Sequence, residues 1–221
     1  MNPSELKVIA TLKEDAFGRI ELRELEGEQV ICRDVGLASS WVRPLARYLA
    51  RREAAVLKAL DVVDDERLPR LIHFDKNICI RSYIEGVPLK EGKVSNPAFY
   101  ENAREILDKM HASGVVHNDL EKPENWLVIQ DDVAGIIDFQ LAYHSVKRGR
   151  IFNWSVGEDI RHTIKQKNRY CREHMTDEEK RILTNKSGFG RFWTNYVKPV
   201  YNFITRKIFN YSDREHSKYS R

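Results

Sequence analysis

The sequence predicts an α+β fold in two parts: a small antiparallel β-sheet lobe with one helix, then a reduced, mostly helical C-terminal lobe. Three observations carry that expectation. Residues 7–35 alternate apolar and polar side chains and break at Glu26-Gly27-Glu28, the pattern of a hairpin in a half-buried sheet. One amphipathic stretch follows over residues 44–60. Past Glu85-Gly86-Val87-Pro88 the apolar positions recur at helical spacing instead.

Residues 19–25 and 29–35 read as the first two clear strands. Ser39 or Ser40 caps the next helix, Pro44 lies near its first turn, and Leu45, Leu49, Val56 and Leu60 share a face. Residues 78–83 form a further strand. It runs into Glu85-Gly86-Val87-Pro88, a hinge that cannot continue a sheet. Asn96 and Pro97 open a helix whose Phe99, Ala103, Ile106, Leu107 and Met110 share a stripe, with Gly114 just beyond its end. Residues 126–129 and 133–137 form a hairpin around Asp131-Asp132. From about residue 155 the chain reads as helical, interrupted at Pro199. The whole is expected to be one domain, residues 1–84 forming the first lobe and residues 85–221 the second.

Composition bounds the function. With 42% hydrophobic and 32% charged residues the chain is globular, not disordered. No run is long enough for a signal peptide or a membrane span, so a cytoplasmic protein is expected. Cys32, Cys79 and Cys171 are odd in number and far apart, which suggests reduced thiols. Residues 147–221 hold 18 Lys/Arg against 8 Asp/Glu, whereas residues 1–146 hold 19 against 25. A basic C-terminal third suits a solvated helical face or a polyanionic partner.

Chemistry concentrates in His117-Asn118-Asp119-Leu120-Glu121-Lys122-Pro123-Glu124-Asn125, a loop between a helix and a hairpin, and in Asp138-Phe139 at the hairpin's end. Two carboxylates and one carboxamide delivered from adjoining loops are hard oxygen ligands, and such a set suits Mg²⁺. Upstream, Glu53 falls on the apolar stripe of its helix, where a carboxylate needs a partner. Arg33, on the strand just before that helix, is the nearest candidate.

With those residues in view, MHASGVVHNDLEKPENWLV followed by IIDFQLA resembles the catalytic loop and metal-binding segment of the protein-kinase-like superfamily. VICRDV is similar to its cation-bearing strand, ARREAAVL to the helix carrying the glutamate partner, and RSYIEGVPL to the hinge. The likeness covers about residues 15–165, and the HND and DFQ variants look closest to the small bacterial RIO-like and lipopolysaccharide-core-kinase branch. The resemblance implies a two-lobed kinase-like fold using ATP and Mg²⁺. Asp119 is then the catalytic residue, Asn125 and Asp138 hold the metal, and Arg33, Glu53 and Gly18 serve the nucleotide. His117 and Asp159 brace the loop.

The pattern departs from the family in four places. The loop over the phosphates offers only Gly18, the strand cation is Arg33 rather than lysine, and Gln140 replaces the last glycine of DFG. The step from Asp119 to Asn125 is also one residue longer than the family's, so a residue near Glu121 must bulge. Asn118 replaces the arginine that docks a phosphorylated activation loop, which implies a constitutive enzyme. The leading expectation is a protein serine/threonine kinase, with a kinase of sugar hydroxyls on a glycolipid precursor as the alternative. A pseudokinase that only binds partners is the reading from another class. The acceptor is then a hydroxyl of a protein or a glycolipid sugar. Residues 192–209 mix aromatics with cations and suit an anionic membrane surface at the inner face, while a nucleic acid is not expected as a partner.

Overall fold

The alternating N-terminal residues build a five-stranded antiparallel sheet from β1 (Lys7–Asp15), β2 (Gly18–Leu25), β3 (Glu28–Asp34), β4 (Leu71–Phe74) and β5 (Ile78–Ser82), in the order β1-β2-β3-β5-β4. This computed structural model describes residues 6–184. The chain divides into two compact units, Met1–Glu179 and Lys180–Arg221. Everything below concerns the first; of the second, only the helical residues up to Thr184 are described.

Glu26 and Gly27 make the β2–β3 turn with φ of 53° and 89°, the left-handed pair that a two-residue hairpin requires. The sheet has two unlike faces. Val30, Cys32 and Ile80 form an apolar cluster on one. Ile31, Arg33, Cys79 and Arg81 alternate onto the other, facing helix α1 (Arg43–Leu60).

Helix α1 differs from its sequence reading in two respects. No side chain caps it; instead the Ser39 carbonyl accepts the Val42 and Arg43 N–H groups, both at 2.9 Å. Its buried stripe is Ala46, Ala50, Glu53, Val56, Leu57 and Leu60, while Leu45 is 42% exposed. The stripe turns because alanines let the helix lie close against Val35 and Ala38, with Phe17 and Phe74 packed alongside. Farther along, Val56, Leu57 and Leu60 enter the largest core, which also holds Ile106, Leu107, Met110, Trp126 and Phe139. One helix therefore carries the sheet on one end and the second part of the molecule on the other.

That second part begins with β6 (Val87–Pro88), α2 (Leu89–Gly92) and α3 (Pro97–Ala112). The hinge segment leaves the first sheet, as expected, but Val87 and Pro88 then pair with Val128 and Leu127 in a three-stranded sheet. Proline is tolerated there because the strand lies at an edge. Asn96 caps α3 by accepting the Ala98 N–H at 3.1 Å. Gly114, at φ +83°, ends the helix in the left-handed conformation that glycine favours. Strands β7 (Val115–Val116), β8 (Trp126–Ile129), β9 (Val133–Ile136) and β10 (Tyr143–His144) follow, then α4 (Arg150–Tyr170) and α5 (Asp177–Thr184). Trp126 pairs with Ile136 and Ile129 with Val133, which sets the expected hairpin register.

All three cysteines are free and buried. Among the described residues no helix is long and apolar enough to cross a membrane. The aromatic and basic residues 192–209, Pro199 and the membrane-surface expectation attached to them lie outside the described residues.

Candidate active site

Asp159 on α4 is fully buried and organises the loop that α3 and β7 lead into. Its Oδ2 accepts the His117 backbone N–H at 2.8 Å and lies 3.2 Å from His111 Nε2, while Oδ1 accepts the Asn118 N–H at 2.9 Å. A carboxylate holding successive amides fixes the peptide planes ahead of Asp119. Asn118 takes the left-handed backbone, φ 66°, that this grip demands.

His117 ties the two loops together. Its Nδ1 accepts the Asp119 N–H at 3.3 Å, which leaves Nε2 to carry the proton and donate to the Ile137 carbonyl at 2.9 Å. The ring also meets Phe139 edge-on at 4.8 Å between centroids. Ile137 in turn donates its N–H to the Asn125 carbonyl at 3.0 Å. The residue immediately before Asp138 is thus bonded to both sides of the Asp119–Asn125 loop, which brings the Asp138 backbone beside the Asp119–Asn125 pair.

Within that group the polar atoms are unequally used. Asp119 Oδ2 accepts from Asn125 Nδ2 at 3.0 Å and from Lys122 Nζ at 2.7 Å. Asn125 Nδ2 also donates to the Asp119 carbonyl at 2.9 Å, so only its amide oxygen remains for a cation. Asp138, at φ 66°, has a buried Oδ1 with no hydrogen-bond partner among the described residues. A buried carboxylate oxygen left unpaired is costly and calls for a ligand. Oxygen donors from one carboxylate and one carboxamide match what Mg²⁺ takes from a protein when phosphates and water complete its shell. No cluster of three His, Cys, Asp or Glu side chains able to hold a metal occurs among the described residues. A site of this type does not need one, because one of its ligands is an amide.

Between Asp119 and Asn125, Glu121 is held from helix α4. Its carbonyl accepts from the buried Gln166 side chain of α4 at 2.7 Å, and its carboxylate meets Lys165 Nζ, also at 2.7 Å. His162 faces Glu121 from α4, and its burial pushes the imidazole pKa below the ordinary value.

On the sheet side, Arg33 Nη1 donates to Glu53 Oε2 at 3.0 Å, and both residues are buried. Arg81 Nη1 donates to the other oxygen, Oε1, at 2.6 Å. Arg52, next to Glu53, points the opposite way and donates to the carbonyls of Ala142 at 2.7 Å and Leu141 at 2.9 Å. Asn118 Nδ2 reaches the same Leu141 carbonyl at 3.1 Å. Helix α1 is thereby clamped to the segment that follows Asp138.

Gly18 closes a two-residue turn between β1 and β2 at φ +116°, and a Cβ there would lie 2.2 Å from the Asp34 carbonyl oxygen. Close packing on β3 accounts for this glycine without any nucleotide, and Phe17 of the turn packs inward on the Val35 cluster. Arg52, Arg81, Lys122 and Gln166 escaped the sequence reading. Arg81 had a signal: it shares parity with Cys79 on an inward strand face, so it demanded a partner by the same logic as Glu53. Gln166 had none, since nothing in a helical sequence marks which polar side chain will reach a distant carbonyl.

No protein-family model matches the chain. A stretch of 61 residues, 28% of this chain, is 39% identical to part of a probable bifunctional tRNA threonylcarbamoyladenosine biosynthesis protein of Methanosarcina mazei. The match spans 10% of that relative's length. This finding overturns the expectation of a protein serine/threonine kinase, together with its glycolipid-kinase and binding-only alternatives: the relative's name concerns a tRNA nucleoside, not a phosphorylated protein or sugar. After Asp138 the chain is tied down by Arg52, Asn118 and the β10–β7 pairing.

Proposed function

We propose that this chain is an ATP-hydrolysing enzyme of kinase-like architecture that serves the synthesis of a modified tRNA nucleoside. Its main support is the unpaired Asp138 Oδ1, buried beside the Asp119–Asn125 pair through the two bonds of Ile137. The tRNA context rests on the 61-residue likeness.

Asn125 and Asp138 would hold Mg²⁺, which when bound neutralises phosphate charge. Arg33, oriented by Glu53, supplies a guanidinium for the α- and β-phosphates. Asp119 orients the attacking water and takes its proton on Oδ1 as the water oxygen bonds to the γ-phosphorus. The bond from that phosphorus to the bridging oxygen breaks, and its electron pair leaves with ADP. Lys122, against Asp119 Oδ2, places a positive charge where negative charge gathers on the transferring group. Positioning and charge neutralisation are most of what phosphoryl transfer requires of a protein.

Phosphate release from Mg–ATP by the purified chain, with and without tRNA, tests this reading. Asp119→Asn and Asp138→Asn are expected to lower the rate by about 100-fold or more while the fold persists. Absence of both ATP binding and phosphate release in the unmodified protein would overturn it.

A further inference from the structure

Arg33, Glu53 and Arg81 make a buried group of two cations and one anion. Their side chains are 5%, 1% and 11% exposed. Guanidinium groups keep their proton in proteins, so one positive charge is left over. Its neighbours across the sheet and one turn along the helix do not cancel it. On the inner face of the sheet the cross-strand neighbours of Arg33 are Ile20 and Cys79, and those of Arg81 are Ile31 and Leu71. Cys79 is the one ionisable neighbour among these four, and burial, with Glu53 adding to it, pushes its thiol up to about 12. It stays neutral at physiological pH. Along α1 the residues one turn from Glu53 are Leu49, Ala50, Val56 and Leu57, all uncharged.

The donors are in surplus as well. Among the described residues each arginine makes one hydrogen bond, from Nη1 to Glu53, and no other ion pair reaches either of them. A guanidinium has five N–H donors in a planar fork. Holding Glu53 alone would need one arginine. A second arginine, largely buried without an anion of its own, is destabilising in an apo protein, and an apolar residue at position 81 would avoid that penalty.

We propose that Arg33 and Arg81 together form a two-arginine anion site for the diphosphate portion of a nucleotide, with Arg81 as a binding residue in its own right. The inference rests on the nucleotide reading proposed above. Glu53 sits between the two forks and spaces them, one on each carboxylate oxygen, and a bridging diphosphate supplies the missing negative charge. The pair also explains how a strand arginine stands where the resembling family has lysine: guanidinium binds phosphate bidentately and tolerates sharing.

Calorimetric binding of ATP, ADP, pyrophosphate and adenosine to the full chain tests it, with Arg81→Met and Arg81→Lys beside the unmodified protein. Arg81→Met keeps the volume and leaves a balanced Arg33–Glu53 pair, and its folding is checked by circular dichroism. The expected result is a loss of at least tenfold in ADP and pyrophosphate affinity in Arg81→Met, partial recovery in Arg81→Lys, and unchanged adenosine affinity. Equal diphosphate binding by Arg81→Met and the unmodified protein would overturn the inference, and so would a parallel loss of adenosine binding. Pyrophosphate binding that depends on Arg81, in a protein that binds no ATP, would uphold the anion site while removing the ATPase reading.

Discussion

Around Asp119 and Asp138 side chains pin irregular loop backbone, whereas around Arg33 the sheet holds the backbone and the charged side chains meet one another. Asp159 holds the amides of His117 and Asn118, His117 holds the Ile137 carbonyl, and Ile137 holds Asn125. On the sheet side Arg33, Arg81 and Glu53 converge through long side chains carried on two strands and a helix. The contrast separates two kinds of failure. Damage to the first region should loosen the main chain and lower stability, because backbone donors lose their acceptors in a buried place. Damage to the second should change charge and ligand affinity while the sheet persists.

The most severe way to break the comparison is Asp159→Ala. Three buried donors lose one acceptor group, at about 1–3 kcal/mol for each unsatisfied group. A loss of roughly 3–5 kcal/mol is expected, read as a large fall in the urea midpoint. Asp159→Asn keeps one acceptor oxygen and should fall less. An unchanged midpoint in Asp159→Ala would mean that the loop is held by packing alone.

A milder variant sharpens the contrast by cutting a clamp between α1 and the segment after Asp138. Arg52→Ala removes two hydrogen bonds to the Leu141 and Ala142 carbonyls. The expected cost is about 1–2 kcal/mol, with faster amide exchange confined to residues 139–144 and the first sheet unaffected. Faster exchange throughout the sheet would show that α1 depends on this clamp for its own placement.

How much of this was legible in the sequence follows the same division. The helix at Asn96-Pro97, its stripe from Phe99 to Met110 and the hairpin register around Asp131 were readable, because caps, periodicity and turn residues are local signals. So was the pairing of Glu53 with Arg33, since an inward carboxylate restricts its partners. The stripe of α1 was misread because Leu45 and Leu49 outrank alanines in hydrophobicity, while close approach to Val35 and Ala38 selects Ala46 and Ala50. Gln166 and Arg52 were invisible because each acts on a carbonyl far away in sequence. The acceptor was not legible either, as the motifs describe how phosphate is handled and say little about what receives it.

The smallest expected effect lies where the segment after α1 crosses to the second part of the molecule. Arg67 grips Asp65 through Nε at 2.8 Å and Nη2 at 2.7 Å, Lys109 of α3 adds a contact at 3.0 Å, and the Arg67 carbonyl accepts the Ile136 N–H. The hydrogen bonds from Arg67, with those from Lys109, hold the Asp65 carboxyl well below the usual range. A depressed carboxylate contributes stability above its unfolded value of about 3.9 and loses it as the pH falls toward the folded value. Asp65→Asn should therefore be less stable than the unmodified protein at pH 7, by about 1 kcal/mol because the cluster is partly open to solvent. That difference should shrink steadily below about pH 4. A gap in urea midpoints that stayed constant from pH 7 to pH 3 would assign the effect to packing at this seam, and the charge cluster would then contribute nothing to joining the two regions.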